Sequence, residues 1–245
     1  MASKPEMRIC VDRNVPEILL PAAQRDIMAL QGSSLKAKGA LVRQKRWSAG
    51  SVLRCRFLDG SPLQRKQVEH YAHAWEDYAN ISFRFVTAGE AHIRISFSAD
   101  PGSWSAVGTD ALIEPYFPKH QPTMNYGWLR DDTEDEEYRR VVVHEFGHAL
   151  GAIHEHQNPR AKLKWNKAAV YRYFSGPPNY WTKSDIDHNI FARYSSFTTN
   201  STKFDPHSIM LYSFPAEFFL DGKGTKTNTD LSEQDKAFIA EQYPK

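Results

Sequence analysis

The stretch HEFGHALGAIHEH, residues 144–156, limits the fold of this chain more than any other feature, because its spacing suits a helix that ends abruptly. Residues four apart in an α-helix are rotated by about 400°, so His144 and His148 lie on one face, one turn apart. Gly151 can adopt the left-handed conformation that ends a helix and turns the chain back. We therefore expect a long helix that ends near Gly151 and brings His154 beside the other two histidines.

Three converging imidazoles have a specific chemical use. Neutral histidine nitrogens are common zinc ligands, and three protein ligands leave a fourth position open, as in catalytic zinc sites. Glu145 lies about 100° around the helix from His144, close enough to act on a water there but badly placed to be a ligand. The motif therefore predicts one catalytic Zn²⁺ held by His144, His148 and His154, with Glu145 as the general base of a hydrolase. The alternative is a set of histidines that are buried and hydrogen-bonded in an ordinary core.

The extended motif resembles that of the metzincin zinc endopeptidases, in which a methionine-containing turn accompanies it. Within that clan the chain is most similar to the astacin family. Glu155 directly follows the third histidine, and SIMLY (208–212) stands where astacins have Ser-x-Met-His-Tyr. GSWSAVG (102–108) is similar to a further astacin segment, and the resemblance extends over residues 47–245.

The resemblance implies roles for three more residues. Met210 would form the hydrophobic floor of the zinc site, and Tyr212 would bind zinc at rest or donate a hydrogen bond to the oxyanion. The alternatives are a core methionine and a tyrosine that only packs. Glu155 would belong to a buried polar network reached by the mature N-terminus, or would orient its neighbours through hydrogen bonds. Leu211 and Ser103 depart from the family, which has histidine and cysteine there.

Hydropathy patterning predicts the remaining elements. Residues 51–60, 81–86 and 91–98 alternate between apolar and polar side chains, as half-buried strands do. Apolar residues recur at helical spacing over 63–79, which predicts a long helix, and a second long helix is expected over 131–151.

Two helix starts show capping-box spacing. Thr133 and Glu136 are expected to begin the second long helix, where an acidic run suits the helix dipole, although such a run could also hold calcium. Ser232 and Asp235 are expected to begin a last helix. Short helices are predicted at three further places: within 21–32, after Asn166 and after Ser184.

The expected fold class is α+β, with the metzincin (zincin-like) fold implied by the resemblance: a twisted mixed β-sheet, two long helices and a mostly irregular C-terminal subdomain. Residues 47–245 would form the catalytic domain, divided into an upper subdomain (47–151) and a lower subdomain (152–245).

Residues 1–46 form a basic N-terminal arm ahead of a mildly acidic body. The arm could be a solvated leader or a pro-segment that lies against the body and regulates it. RQKRW (43–47) resembles a dibasic processing site and suggests a cut after Arg46. Alternatively, Cys10 could block the zinc as a thiolate, as in the cysteine switch of matrix metalloproteinases.

Cysteine content and hydropathy limit the compartment only loosely. The two cysteines, Cys10 and Cys55, are too few for a disulfide scaffold, although a single bridge between them is open. No apolar run approaches the roughly 18 residues of a membrane span, and the start lacks the apolar region of a secretory signal. We expect a protein without membrane association that is cytoplasmic, exported by a leaderless route, or secreted with a leader that this sequence does not include.

The expected substrate is a polypeptide bound in extended conformation along an edge strand of the sheet, by a monomeric enzyme. Residues 91–98 and 122–128 are the expected strands near the cleft. Residues 213–219 contain no arginine, which favours an apolar or aromatic residue after the scissile bond. Two rival classes are an inactive relative that only binds a partner, which the presence of Glu145 disfavours, and a nucleic-acid-binding protein, for which no recognised motif is present.

Overall fold

The computed structural model describes residues 7, 9–13, 15, 41–42, 45–100, 102–177, 179–194, 199–200 and 202–245. The helix predicted within 21–32 lies outside the described residues, as does most of the basic arm.

A six-stranded mixed sheet forms the upper half of the molecule. Its strands, in the spatial order β1-β6-β7-β5-β3-β4, are β1 (Val11–Arg13), β6 (Trp104–Ala106), β7 (Met124–Asn125), β5 (Ile93–Ser96), β3 (Ser51–Phe57) and β4 (Ile81–Phe85). Neighbouring strands run parallel except for β6 and β7, which are antiparallel. A separate two-stranded ladder joins β2 (Leu41–Val42) to β8 (Thr199–Asn200).

Strands β3 and β4 alternate between buried and exposed side chains as predicted, whereas all four residues of β5 are buried, so the expectation of a half-buried strand there is wrong. In β3, Leu53 and Cys55 are buried while Arg54 is exposed, so one face of the sheet is apolar. Helix α1 (Pro62–Ala72) begins with a capping box between Ser61 and Gln64. It continues as a 3₁₀ turn, His73–Trp75, so the single helix expected over 63–79 is shorter and tightens at its end.

The second long helix, α2 (Asp135–Ala149), is mostly buried. The predicted capping box of Thr133 and Glu136 is wrong, because the N-cap is Glu134 and makes no side-chain cap hydrogen bond. Thr133 Oγ1 instead accepts a hydrogen bond from the Arg130 amide (2.8 Å) and stabilises the turn before the helix. The acids of the first turn still face the positive end of the helix dipole.

Among the described residues of the lower half, three short α-helices are present: α3 (Lys167–Phe174), α4 (Lys183–Ile186) and α5 (Glu233–Gln242). Between them lie irregular chain, a π-helical turn (Asp187–Phe191) and two 3₁₀ turns (Glu155–Gln157 and Ala216–Phe218). The capping box of Ser232 and Asp235 is confirmed. Helix α4 begins slightly earlier than predicted, because Thr182 and Asp185 form a capping box there. The α+β class with a mixed sheet, two long helices and an irregular C-terminal half is confirmed.

Cys10 and Cys55 are both buried and both free, so the bridge left open between them is not formed. Among the described residues, no helix combines the length and the apolarity that crossing a membrane requires.

Candidate active site

The active-site helix α2 ends in a way that turns the chain back on itself. Gly151 has a φ of +95°. Its amide donates to the His148 carbonyl oxygen (2.7 Å), and the Ala152 amide donates to that of Gly147 (3.0 Å). These two bonds are the Schellman arrangement, in which a glycine takes the left-handed conformation without a Cβ penalty. The residues after Gly151 can therefore return to the helix face that carries His144 and His148.

Three imidazoles converge at this point. The Nε2 atom of His148 lies 3.2 Å from His144 Nε2 and 3.0 Å from His154 Nε2. One ring nitrogen from each of the three lies within 4.8 Å of the others. All three side chains are buried, with at most 2% exposed.

Hydrogen bonds on the far side of the rings orient two of them. His144 Nδ1 lies 2.8 Å from the Ile209 carbonyl oxygen, and His148 Nδ1 lies 2.8 Å from that of Ala152. A carbonyl oxygen only accepts, so each Nδ1 carries the proton and each Nε2 presents a lone pair. Burial, and next the neighbouring His148, lower the pKa of His144 and of His154, which keeps these rings neutral.

This donor set fits a zinc ion. The Nε2 lone pairs of His144 and His148 face each other at 3.2 Å and repel unless a cation lies between them. Around a tetrahedral zinc with bonds of roughly 2.0–2.1 Å, ligand nitrogens are about 3.3 Å apart. Three histidine nitrogens at this spacing, two of them on rings oriented by carbonyl oxygens behind them, are what a zinc site with one open position requires.

Glu145 lies beside the histidines with Cys10 against it. The Glu145 side chain is fully buried. One carboxylate oxygen of Glu145, the Cys10 sulfur and a His144 ring nitrogen all lie within 4.8 Å of one another. Burial, and next the charge of Glu145, raise the pKa of the Cys10 thiol, which also hydrogen-bonds that side chain. The arm thus places its cysteine at the centre of the predicted site.

Met210 packs directly under the active-site helix. A Cβ atom added to Gly147 would lie 2.5 Å from the Met210 sulfur and 3.0 Å from the Trp75 ring. Only a residue without a side chain therefore lets the methionine, which is 3% exposed, approach the helix this closely. The structure places Met210 against Gly147 and accounts for the glycine inside the histidine motif.

Tyr212 also reaches the histidine cluster. Its hydroxyl lies 2.5 Å from His154 Nε2 and donates a hydrogen bond to the Cys10 carbonyl oxygen. The ring packs against His156, with centroids 5.0 Å apart. The His156 ring is itself buried, with Nε2 3.0 Å from the Asn189 carbonyl oxygen.

Glu155 faces the lower half of the molecule. Its Oε1 accepts hydrogen bonds from the Asn158 side chain and from the Asp205 amide, both at 2.9 Å. Burial raises its pKa to about 8, although both hydrogen bonds oppose this shift. Its own amide donates to the Met210 carbonyl oxygen (2.9 Å), which ties the third histidine to the methionine turn.

Strand β6 is paired with a strand of the basic arm. The parallel pairing of β1 with β6 places residues of the arm along that edge. The strands expected beside the cleft, within 91–98 and 122–128, form β5 and β7, which lie inside the sheet. Neither is an edge strand, because β6, formed by 104–106, runs antiparallel to β7 and lies outside both.

A cavity of about 1140 Å³ opens beside Tyr212. Leu211, Phe214, Pro215 and Ala216 supply apolar walls. The wall formed by α2 contains Arg140, which donates to both carboxylate oxygens of Glu137 (2.7 and 2.8 Å). The remaining lining residues are Met7, Tyr173, Tyr212, Ser213, Glu217, Gly224, Thr225, Thr227 and Asn228.

The sequence did not reveal that Asp110 helps to hold the basic arm in place. Its Oδ2 accepts hydrogen bonds from the Val15 amide (2.9 Å) and from the Lys45 ammonium (2.6 Å). This buried carboxylate therefore holds the arm at two places. Nothing in the local pattern signals it, because its partners are 95 and 65 residues away.

The fold and this site define a zinc-endopeptidase architecture of the metzincin type. The Matrixin family profile matches residues 52–167. One structure of myroilysin is 46% identical, with a TM-score of 0.81, and the match covers 84% of this chain and 99% of that one. A second myroilysin structure is 38% identical, with a TM-score of 0.67, and the match covers 98% of this chain and 93% of that one. The chain belongs to the metzincin zinc endopeptidases.

More distant similarities agree with this class. High choriolytic enzyme 1, a hatching enzyme zinc-protease from the medaka fish Oryzias latipes, shares the fold with a TM-score of 0.54 at 19% identity, and the match covers 85% of this chain and 98% of that one. Serralysin B from Dickeya chrysanthemi is 24% identical over 149 residues, which are 56% of this chain and 31% of that protein. The chain thus corresponds to only about a third of serralysin B.

Proposed function

We propose that this protein is an endopeptidase that uses one zinc ion to hydrolyse peptide bonds in extended polypeptides. The observation that carries the proposal is the convergence of three histidine Nε2 atoms beside a buried glutamate. His144, His148 and His154 would hold the ion. Zinc, when bound, lowers the pKa of a water molecule toward about 7 and polarises a carbonyl group.

The protein side chains would divide the remaining work. Glu145 would accept the proton of the attacking water and pass it to the leaving amine. The Tyr212 hydroxyl, next to His154, would donate a hydrogen bond to the developing oxyanion. Met210 would support the three rings from below, and Gly151 would turn His154 toward them.

The substrate would bind along β6. A strand edge offers backbone donors and acceptors to any extended peptide, whatever its sequence. In the intact chain β1 uses this edge, so a substrate strand would replace the arm. The cavity beside Tyr212 would then receive the side chain after the scissile bond. Its apolar walls support the preference for an apolar or aromatic residue there, because the charge of Arg140 is paired with Glu137.

We further propose that the intact chain is latent, with Cys10 blocking the zinc position. The Cys10 sulfur lies beside both His144 and Glu145. Burial raises the pKa of the Cys10 thiol; a zinc ion held by the histidines would oppose this shift and favour the thiolate. The same contact would keep water away from Glu145.

The cut after Arg46 is a compatible route to activation, because it would release the whole arm. Arg46 is exposed, whereas the Trp47 indole is buried and donates to the Ala149 carbonyl oxygen (2.8 Å). Cleavage therefore requires local opening at Trp47. Intact-mass analysis of active protein that shows residues 1–46 still attached would argue against this route.

The proposed function is tested by incubating casein and a mixed peptide library with the protein, with and without a chelator. Proteins with Glu145→Ala and Cys10→Ala are assayed in parallel. We expect chelator-sensitive cleavage that disappears in the Glu145 variant. Bound zinc without cleavage, even when Cys10 is replaced, would instead indicate a relative that only binds its partner.

A further inference from the structure

The face of the sheet that points away from the helices carries arginines at opposed positions. Arg54 on β3 lies opposite Arg84 on β4, and Arg56 on β3 lies opposite Arg94 on β5. Like charges directly opposite each other destabilise a sheet. On a face that only contacted solvent, two such pairs would lower the stability of the sheet and bring no benefit. A ligand that bound these arginines would offset that cost.

Three of these arginines line one cavity of about 620 Å³, between the sheet and residues 111–120. None of the residues that line the active-site cavity contributes to it. Arg94 is only 5% exposed. Its guanidinium donates to backbone carbonyl oxygens of Ala91, Phe117, Pro118 and Gln121. Arg94 therefore holds the cavity wall in place and supplies a fixed positive charge.

Arg54 and Arg56 have donors to spare. In the part of the chain that the structure describes, each guanidinium makes one hydrogen bond, to a backbone carbonyl oxygen of residues 88–89. A guanidinium has five N–H donors, so most are left for another acceptor. Among those same residues, neither forms an ion pair, whereas Arg139 and Arg140 each pair with a carboxylate.

The acids at the cavity offset only part of this positive charge, although Glu114 acts on Arg94 and opposes the lowering of its pKa. Glu90 and Glu114 lie at 3.5 and 3.3 Å from the Lys119 ammonium. Burial and then the nearby Arg56 lower the pKa of Arg94, and burial and then Arg54 lower the pKa of His92. The cavity interior thus has an excess of positive charge that an anion would relieve.

We propose that this cavity is a second site, which binds a tetrahedral oxyanion: the phosphate or sulfate group of a ligand. The planar forks of Arg54 and Arg56 match the paired oxygens of such a group, and Arg94 adds charge from behind. A phosphate ester and a sulfate ester share this chemistry. Either would dock away from the active site, on the opposite face of the sheet.

Isothermal titration calorimetry of the full chain with inorganic phosphate, and separately with inorganic sulfate, tests the proposal. We expect each titration to show saturable binding to the wild type, and the double variant Arg54→Gln/Arg56→Gln to bind at least about tenfold more weakly. Tighter binding of phosphate points to a phosphate ester, and binding of sulfate at least as tight points to a sulfate ester.

Arg84→Gln is the matched control, since Arg84 is on the same face but does not line the cavity. It should change the affinity by less than about threefold, because an exposed charge that does not line the cavity is largely screened by solvent. Arg56→Lys keeps the positive charge and should not disturb the fold, but it loses the planar pair of N–H donors. It should therefore weaken anion binding. The proposal is refuted if neither anion binds the wild type, or if the double variant binds as tightly as the wild type. It is also refuted if Arg84→Gln weakens anion binding as much as the double variant does.

Discussion

The chain contains the dipeptide His-Glu at 144–145 and again at 154–155, and the two copies have opposite surroundings. Glu145 is on a regular helix, faces the cleft and contacts the Cys10 thiol. Glu155 follows the turn at Gly151 and hydrogen-bonds with backbone and amide groups of the lower half. Both histidines reach the same cluster, so the difference concerns only the acids.

The difference shows how local geometry assigns chemistry to identical residues. On α2 the rotation per residue turns Glu145 away from the His144 ring yet keeps it near the open side of the cluster. Past Gly151 the chain has reversed, and the 3₁₀ turn Glu155–Gln157 directs the second acid into the lower half. Four predictions test this contrast.

The largest expected effect separates the two acids in catalysis. Glu145→Gln should lower kcat of the activated enzyme by about 10²–10⁴-fold, because the general base is lost. Glu155→Gln, the matched control, should lower it by less than about tenfold, since it acts only through its neighbours. Steady-state kinetics with bound zinc measured in both variants checks this. Equal losses of kcat in the two variants would contradict the different roles given to Glu145 and Glu155.

The second prediction concerns pH and Glu155. Its folded-state pKa of about 8 lies above the ordinary value of 4.5, so the folded protein holds a proton that the unfolded chain releases. Stability from this group is therefore present below pH 4.5 and is lost as the pH rises to about 8. Over this range the free energy of unfolding should fall by up to roughly 1.4 kcal/mol for each unit that the pH rises.

Urea unfolding of metal-free protein across this pH range provides the measurement. Glu155→Gln should remove that part of the slope. The metal-free form is used because a bound cation would itself change the pKa. An unchanged slope in the variant would show that Glu155 is ionised in the folded protein.

The third prediction concerns the support beneath His144 and Glu145. Gly147→Ala would place a Cβ 2.5 Å from the Met210 sulfur, and the overpacking should cost about 1–3 kcal/mol of stability. Gly176→Ala is the control, because its Cβ would meet nothing closer than 3.6 Å. Denaturant unfolding compares them, and equal stability of the two variants would contradict the packing described for Met210.

The smallest effect concerns the Cys10 thiol, which contacts the first of the two acids, Glu145. Cys10→Ala should raise the peptidase activity of the intact chain at least about tenfold, because a tethered ligand acts at a high effective concentration. Cys55→Ala removes the other buried free cysteine, which lies in β3 away from the histidines, and should not activate. Unchanged activity in Cys10→Ala would refute the latency proposal.

Periodicity and local capping chemistry were sufficient for much of the fold. The strands at 51–57, 81–85 and 93–96 follow from alternation, and the Ser232 box from its own spacing. The same reasoning failed at Thr133, where the hydroxyl finds a nearer partner in the turn before the helix. It also misplaced the edge of the sheet, because the three residues of β6 are too short to show alternation.

The sequence by itself determined the histidine cluster, because helical rotation and a left-handed glycine act over a few residues and leave little freedom in where three rings point. Only the tertiary structure decided what surrounds that cluster: Cys10 against Glu145, Met210 under Gly147, and Asp110 between two parts of the arm. These contacts join residues far apart in the chain. Their formation depends on the packing of the whole domain, which no local pattern encodes.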